Sequence, residues 1–435
     1  MPLSSRRVVI SPTRTNRTGV RLSGSRPIHP YDTDNLPRPA PGRGGRRCAS
    51  PSPPTRDTPP APTTAHPHTY DDAVSPNPLD DAFQAAITAS ITEQVADHRA
   101  QLAPIDPAAD ELADAIGLLM ARGKRLRAGF LHWGHLAAGG EASPATLRAA
   151  TAMEFFQAAA LLHDDVMDDS DTRRGAPTAH RAWAARHREQ GWDGSPEDHG
   201  LAGAILAGDL CLVWADAAFA GCGWSPEQMR RAVPTWNLMR TQLMGGQFLD
   251  ILNAARPWDD EDAPARTERV RRVMTYKSAK YSIEHPLLIG ADAAGVDPTT
   301  RGHLSTYGLH LGLAFQLRDD VLGVFGDSAL TGKPTGDDLR EGKRTALVVG
   351  VLDAASPADA ARFEALLGTP DLSPDDTEWM AGLITSTGAL AAVEAQVDAD
   401  RDAALHALAA ARDSIDPAAA TALEQLAYVT TARSA

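Results

Sequence analysis

Aromatic residues make up only 5% of this 435-residue chain, and it holds just 3 cysteines. Cys48, Cys211 and Cys222 form neither an even set nor a zinc-ligand spacing. A disulfide framework or structural zinc site is therefore not expected, and a cytoplasmic setting is the simplest one. No run of roughly 18 consecutive apolar residues occurs, which argues against an ordinary transmembrane helix. No alternating strand pattern persists, no GxGxxG follows an apolar strand, and no repeat period stands out. Basic residues are also in deficit, 42 Lys and Arg against 56 Asp and Glu, a net charge of −14.

That deficit is uneven. Residues 1–69 carry 11 Arg, no Lys and 3 Asp, a net of +8, so the remainder carries −22. A body this acidic would not displace counterions from a nucleic acid, so no nucleic-acid partner is expected. Any phosphate chemistry must rest on local cation clusters or metal ions. The first 69 residues also hold 14 of the 32 prolines, too few apolar groups to offset the entropy of ordering, and are expected to be a disordered Arg/Pro-rich tail over residues 1–75. Ser5-Arg6-Arg7 lacks a following apolar stretch and cleavage site, so it does not read as an export signal. The tail reads as a linker or as sequence upstream of a later start. The alternative is a docking arm for a partner protein or shell.

From about Leu79 the texture changes to Ala, Leu, Glu and Arg, with apolar residues at helical spacing, as in Ile87, Ile91 and Val95 or Leu112, Ile116 and Leu119. Breaks fall at Pro/Gly/Asp clusters such as Gly139–Pro144, Gly191–Gly200 and Pro257–Pro264. Residues 76–435 are expected to form one all-α bundle of long helices.

Two helical stretches end in acid. Phe155–Gly175 reads FFQAAALLHDDVMDDSDTRRG, with Asp164 and Asp168 four apart on one face. Paired carboxylates late in a helix repel each other and oppose its dipole, a double penalty that a cation would relieve. Oxygen ligands suit Mg²⁺, which keeps waters and is completed by substrate phosphates. Phe315-Gln316-Leu317-Arg318-Asp319-Asp320 repeats the arrangement at the end of Leu309–Leu322. Two such patches facing each other would clamp a diphosphate. Cations cluster around them: Gly123–Arg127 (GKRLR), Arg173 and Arg174, Lys277 and Lys280, Lys333, and Lys343 with Arg344. Arg offers a planar donor fork and Lys a compact charge, enough for two separate diphosphates.

With GKRLR, DDVMD, RRGAPTAH, Gly208-Asp209, GQFLD at Gly246–Asp250, Lys277-Ser278, FQLRDD and the GDD ending at Asp338 in this order, residues 79–432 resemble the trans-isoprenyl diphosphate synthases (polyprenyl synthetases), most closely bacterial geranylgeranyl diphosphate synthases. The resemblance implies an all-α homodimer that condenses isopentenyl diphosphate with an allylic diphosphate, using three Mg²⁺ per active site. It implies that Asp164 and Asp168 hold two of these ions and Asp319 the third, with Asp165 and Asp320 beside them on the metal side. Arg173, Lys277 and Lys333 would bind the allylic diphosphate, with Lys343 closing over it. Lys124, Arg127, Gln157 and Arg174 would bind isopentenyl diphosphate. Ser278 stands where the family usually has Thr, and its hydroxyl and Gln316 would lie beside the reacting carbon. His163 is expected to be structural.

Two departures stand out. Gly323 replaces the last Asp of the second motif, and Ala128 replaces a Pro after GKRLR. Ala159 and Ala160 leave room upstream of Asp164, and Phe155 and Phe156, one turn deeper at about 5.4 Å per turn, are expected to form a floor. That pattern points to a product longer than farnesyl diphosphate, namely geranylgeranyl diphosphate. A class I terpene cyclase and a non-catalytic subunit of a heteromeric synthase are the alternatives. A cyclase has no use for Lys124, Arg127 and Arg174, and a non-catalytic subunit none for intact Asp164, Asp168 and Asp319.

Overall fold

Seven α-helices among the described residues begin the same way, with Ser or Asp as N-cap and Pro as the first helical residue. The pairs are Ser143-Pro144, Ser195-Pro196, Ser225-Pro226, Asp297-Pro298, Ser356-Pro357, Ser373-Pro374 and Asp416-Pro417. In each the cap side chain accepts a first-turn backbone N–H, while Pro sits where its missing donor costs nothing. The prolines that punctuate the sequence are thus helix starts rather than interruptions.

This computed structural model describes residues 77–258, 262–326, 335–369 and 371–432. The expected tail, residues 1–75, lies outside them. The described part is an all-α bundle, with one two-residue hairpin pairing Thr172–Arg173 with Ala176–Pro177. The principal elements are α1 Asp81–Leu102, α2 Asp110–Met120, α3 Leu126–Ala137, α4 Pro144–Met167, α5 Ala179–Gln190, α6 Pro196–Ala220, α7 Pro226–Ala255, α8 Ala263–Val273, α9 His285–Ala294 and α10 Pro298–Phe325. Shorter helices follow, then Ala389–Ala411 and Pro417–Thr431. One core joins Phe83, Ile87, Phe130, Met153, Phe156, Trp214, Trp236 and Leu287. A second joins Val270, Leu317, Val321, Leu347, Phe363, Met380 and Val397. The helix α10 serves both, through Leu304, Tyr307 and Leu311 on one side and Leu313, Leu317 and Val321 on the other.

One helix bears on the expectation about membrane spans. Although α6 contains no unbroken apolar run, it is long and apolar enough by composition to cross a bilayer. In the fold it packs along α4 and α5, burying Ala204, Ala207, Cys211 and Ala215. The resemblance in composition arises because both environments ask for alanine and leucine on a packed face.

Between α8 and α9 the backbone winds as a π-helix, Met274–Glu284. Eleven residues is long for a conformation usually seen as a single-turn bulge. Its neighbours hold it at backbone distance. A Cβ on Gly246 of α7 would lie 2.3 Å from the Lys277 nitrogen, and one on Gly312 of α10 would lie 2.6 Å from the Ala279 Cα. No side chain fits at either position. Gly246→Ala is therefore expected to destabilise the protein by roughly 1–3 kcal/mol, lowering Tm by several degrees. Gly245→Ala, whose Cβ would meet nothing within 4 Å, should be neutral or slightly stabilising. Equal melting temperatures for the two variants would contradict this packing.

Candidate active site

The glycine contact between α7 and the π-helix sets the polar centre of the molecule. It places Lys277 so that its Nζ donates to Asp250 Oδ2 at 2.6 Å and lies 3.3 Å from Asp164 Oδ1. Gln247, one residue beyond Gly246, donates its Nε2 to Asp164 Oδ1 at 2.8 Å. Gln247 and Asp250 sit three apart on one face of α7. The GQFLD segment gives neither residue a role of its own in sequence; the i, i+3 spacing next to a glycine is the available signal.

These groups open into a cavity of about 780 Å³. Among its lining residues are Lys124, Arg127, Gln157, Ala160, Asp164, Arg173, Arg174, Lys277, Ser278, Gln316, Asp319, Asp320 and Lys343. Thirteen of the expected site residues thus share one chamber. Lys333 lies outside the described residues. Asp168 approaches from the end of α4, with Lys343 Nζ 3.9 Å from its Oδ2. Asp165 turns the other way: it is buried and accepts from Arg173 Nε at 2.8 Å and from the same guanidinium's NH2. Arg173 is also 3.9 Å from Asp164 Oδ2, so it ties the first acidic motif to the hairpin that follows. Lys280 faces away from the cavity group and donates to Glu284 at 2.7 Å.

The second cation group has its own scaffold. Arg125, with φ of 54° and almost no exposure, forms an ion pair with Glu154 of α4 at 3.1 Å and donates to the Met120 carbonyl at 2.7 Å. This buried strut holds the turn from which Lys124 and Arg127 project. Arg127 donates to Ser282 Oγ at 2.7 Å, and its guanidinium carbon lies 4.4 Å from the Tyr281 ring centre. The Tyr281 hydroxyl donates to Gln157 Oε1. Glu154 and Tyr281 line the same cavity and were not singled out from sequence. Neither belongs to a charged cluster there, so only the fold brings them forward.

Beneath the cavity the two phenylalanines separate. Phe156 packs against Tyr281, 5.6 Å between centroids, and Trp236, 5.9 Å. Trp236 in turn stacks on Phe219 at 4.4 Å. Phe155 points elsewhere, edge-on to His98 and Trp214. Ala160 reaches the lining, whereas Ala159 is buried in the packing behind it. His163 rests against α6, its Nε2 3.2 Å from the Ile205 carbonyl, where Gly208 leaves room for the ring.

Charge density decides the protonation states. Burial would raise the Asp164 carboxyl, but Lys277, Lys343 and Arg173, with the Gln247 hydrogen bond, outweigh it and hold it below its usual range. Burial and the Asp164 charge push Asp168 up to about 6. Burial opposes the charge on Lys277 and Lys343, yet the carboxylates around each keep both ammonium groups firmly protonated.

Among the described residues no three acidic or imidazole groups converge closely enough to enclose an ion alone. The donors are hard carboxylate oxygens beside lysine and arginine, which suits a Mg²⁺ ion sharing its shell with water and a phosphate. Asp164, Asp168 and Asp319 are the residues that would hold such ions.

The polyprenyl synthetase family model matches residues 109–384. The geranylfarnesyl diphosphate synthase of Aeropyrum pernix is 35% identical over 286 residues, 65% of this chain and 81% of its own. The geranylgeranyl diphosphate synthase of Mycobacterium tuberculosis is 33% identical over 268 residues, 61% of this chain and 69% of its own. Among solved structures, a geranylgeranyl pyrophosphate synthase from Corynebacterium glutamicum, complexed with isoprenyl diphosphate and magnesium, superposes with a TM-score of 0.76 at 38% identity. The alignment covers 81% of this chain and 99% of that one.

The Asp168 shift makes a signed prediction. A carboxyl whose folded pKa is raised contributes stability fully below its unfolded value, near 4, and loses it as pH rises through about 6. At pH 7.5 without metal, Asp168 therefore costs the fold on the order of 2 kcal/mol. In the presence of chelator, Asp168→Asn should melt several degrees above the parent at pH 7.5, with the gap closing towards pH 4. A gap independent of pH would show that Asp168 is not strained by its charge.

Proposed function

This chain belongs to the polyprenyl synthetase family, the trans-isoprenyl diphosphate synthases, and from that premise we propose that it is a Mg²⁺-dependent prenyltransferase elongating an allylic diphosphate with isopentenyl diphosphate to geranylgeranyl diphosphate. One observation carries the reading: a single cavity is lined both by Asp164, Asp319, Lys277 and Lys343 and by Lys124, Arg127 and Arg174. A chamber with one acidic, lysine-bridged set of groups and one arginine–lysine set suits two diphosphates of different roles. A class I cyclase, with one diphosphate to bind, has no use for the second set.

The residues divide the work. Lys277, Lys343 and Arg173 stabilise the charge that develops on the allylic diphosphate as its carbon–oxygen bond breaks. Bound Mg²⁺ would add Lewis-acid stabilisation of the same leaving group. Lys124, Arg127 and Arg174 hold isopentenyl diphosphate so that its double bond faces the cationic carbon. The Ser278 hydroxyl and the Gln316 amide also line the cavity, the amide donating to Asp320 Oδ1 at 2.7 Å, and are the groups proposed to face the reacting carbon. Attack forms the new carbon–carbon bond, and the proton lost from the adduct goes to the departed diphosphate. Leu161, Leu243 and Phe315 are among the apolar lining residues, which keep water from the cation.

The product chain would descend past Ala160 towards Phe156 and Trp236. Asp164 and Phe156 are eight residues apart, about 12 Å along the helix. The geranylgeranyl diphosphate synthases among the relatives support that length, and the geranylfarnesyl diphosphate synthase of Aeropyrum pernix makes a longer product the nearest rival outcome. The reading includes a homodimer. Val213 on α6 and Leu238, Met244 and Phe248 on α7 are exposed large apolar side chains, Phe248 at 60%, and a second copy of the same face is the occupant proposed for them.

The deciding experiment offers purified protein Mg²⁺, isopentenyl diphosphate and each allylic starter in turn, with products sized by mass spectrometry. Geranylgeranyl diphosphate is the expected product, and no elongation from any starter would sink the proposal. Phe156→Ala is expected to shift the products towards longer chains, whereas Phe155→Ala, packed against His98 and Trp214, should cost stability and leave length unchanged. For the dimer, Phe248→Asp should halve the mass seen by light scattering; an unchanged mass, or a monomeric parent, would reject that face.

A further inference from the structure

The first acidic motif carries an exposed sulfur. Met167 ends α4 between Asp164 and Asp168 and is 51% exposed. Of the other described methionines, Met120, Met153, Met239, Met274 and Met380 are buried and Met229 is packed against the core. Met244 is exposed as well, on the face proposed above for a second copy.

What distinguishes Met167 is an amide that it shares with Asp164. Gln247 Nε2 donates to Asp164 Oδ1 at 2.8 Å and to Met167 Sδ at 3.6 Å. An amide nitrogen carries two hydrogens, so both contacts can be met at once. A thioether is a weak acceptor, and the side chain of Gln247 is therefore held chiefly by Asp164. Oxidation of the sulfur would change that balance. A sulfoxide is polar, and its oxygen is a far better acceptor than the thioether it replaces. A separation of 3.6 Å leaves no room for a further atom between Sδ and Nε2. Either the amide follows the new oxygen or the oxygen displaces it, and both movements loosen its bond to Asp164.

Resting on the functional reading above, we propose that Met167 is a site of reversible oxidation to the sulfoxide, and that this oxidation weakens diphosphate and divalent-cation binding by drawing Gln247 away from Asp164. The step is a two-electron oxygen transfer from hydrogen peroxide. The O–O bond breaks, an S–O bond forms, the sulfur is oxidised, and the peroxide is reduced to water, which keeps both protons. An uncharged oxidant suits this position, because the carboxylates of Asp164 and Asp168 would repel an anionic one. Methionine sulfoxide reductases restore the thioether, one enzyme for each epimer.

The test uses the full chain before and after treatment with hydrogen peroxide. Peptide mass spectrometry locates the added oxygen, and calorimetry follows the binding of inorganic pyrophosphate with Mg²⁺. In the parent, Met167 should gain one oxygen and pyrophosphate affinity should fall about tenfold, the scale of losing a partner that orients a metal ligand. Both changes should reverse with the two reductases. Met167→Leu, which offers no sulfur, should keep its own starting affinity through the same treatment. Gln247→Leu begins weaker and should lose nothing further when its Met167 is oxidised. A Met167 that resists oxidation, or one that is oxidised without a change in affinity, would overturn the proposal. So would an equal loss in Met167→Leu, which places the effect at another residue, or a further loss in Gln247→Leu, which removes the amide as the link. If the untreated parent fails to bind pyrophosphate with Mg²⁺, the functional reading of the cavity falls along with this inference; failure in any other arm removes this inference alone.

Discussion

Repulsion between carboxylates is the constraint around which this molecule is arranged. Asp164, Asp168, Asp250, Asp319, Asp338 and Glu341 come from four separate segments and gather near one cavity. At 4 Å, two such charges repel by about 4 kcal/mol even in a partly screened setting. Two lysines hold five of them together. Lys277 joins α4 to α7 through Asp164 and Asp250, and Lys343 joins the end of α4 to the segment after α10 through Asp168, Asp338 and Glu341. Each lysine is buried enough that an uncompensated charge would be costly, so lysine and carboxylate each make the other tolerable. The strain that remains, visible in the raised Asp168, is what a bound cation would relieve.

Placing those lysines demands unusual backbone. An α-helical Met274–Glu284 would turn Lys277 and Ser278 through a different angle for every residue, and the π-helix widens the turn that presents both. The conformation persists because α7 and α10 press on it at Gly246, Gly308 and Gly312, where a side chain would collide with its backbone. Glycine weakens an exposed helix by about 1 kcal/mol relative to alanine, but here it permits helix axes to approach closely enough for packing to outweigh that loss. The glycines of α7 and α10 therefore bear on electrostatics, since the distance from Asp250 to Lys277 is set by how near Gly246 lets the helices come.

Much of this was legible in the sequence because it is local. Helix starts are written as Ser-Pro and Asp-Pro, the acidic motifs as i, i+4 pairs, and the cation clusters as short runs. What escaped was non-local or depended on side-chain direction. Asp165 has the same chemistry as Asp164 yet faces Arg173, because neighbours on a helix point about 100° apart. Phe155 and Phe156 divide for the same reason, one towards α1 and α6, the other towards Tyr281 and Trp236. Glu154 and Tyr281 carry no motif, and their importance comes from Arg125 and Arg127, which reach them across the bundle.

The helix α6 shows the converse, where average composition promises more than the fold delivers. Its hydropathy meets the requirement for a membrane span, but a bilayer makes no distinction between its faces and this bundle does. Ala204, Ala207, Cys211 and Ala215 form the small-residue face that lets α6 lie close along α4, and Gly208 accommodates the ring of His163. The opposite face keeps Ile205, Leu206 and Val213 exposed. In water a helix that is apolar all round is stable only when both faces are covered, and α4 covers one. The neighbouring α7 has the same problem, with Leu238, Met244 and Phe248 uncovered beside Gln247 and Asp250, which serve the cavity. A second surface pressed on α7 would immobilise the helix that positions Lys277, so association and the geometry of the active site depend on the same thirty residues, Pro226–Ala255.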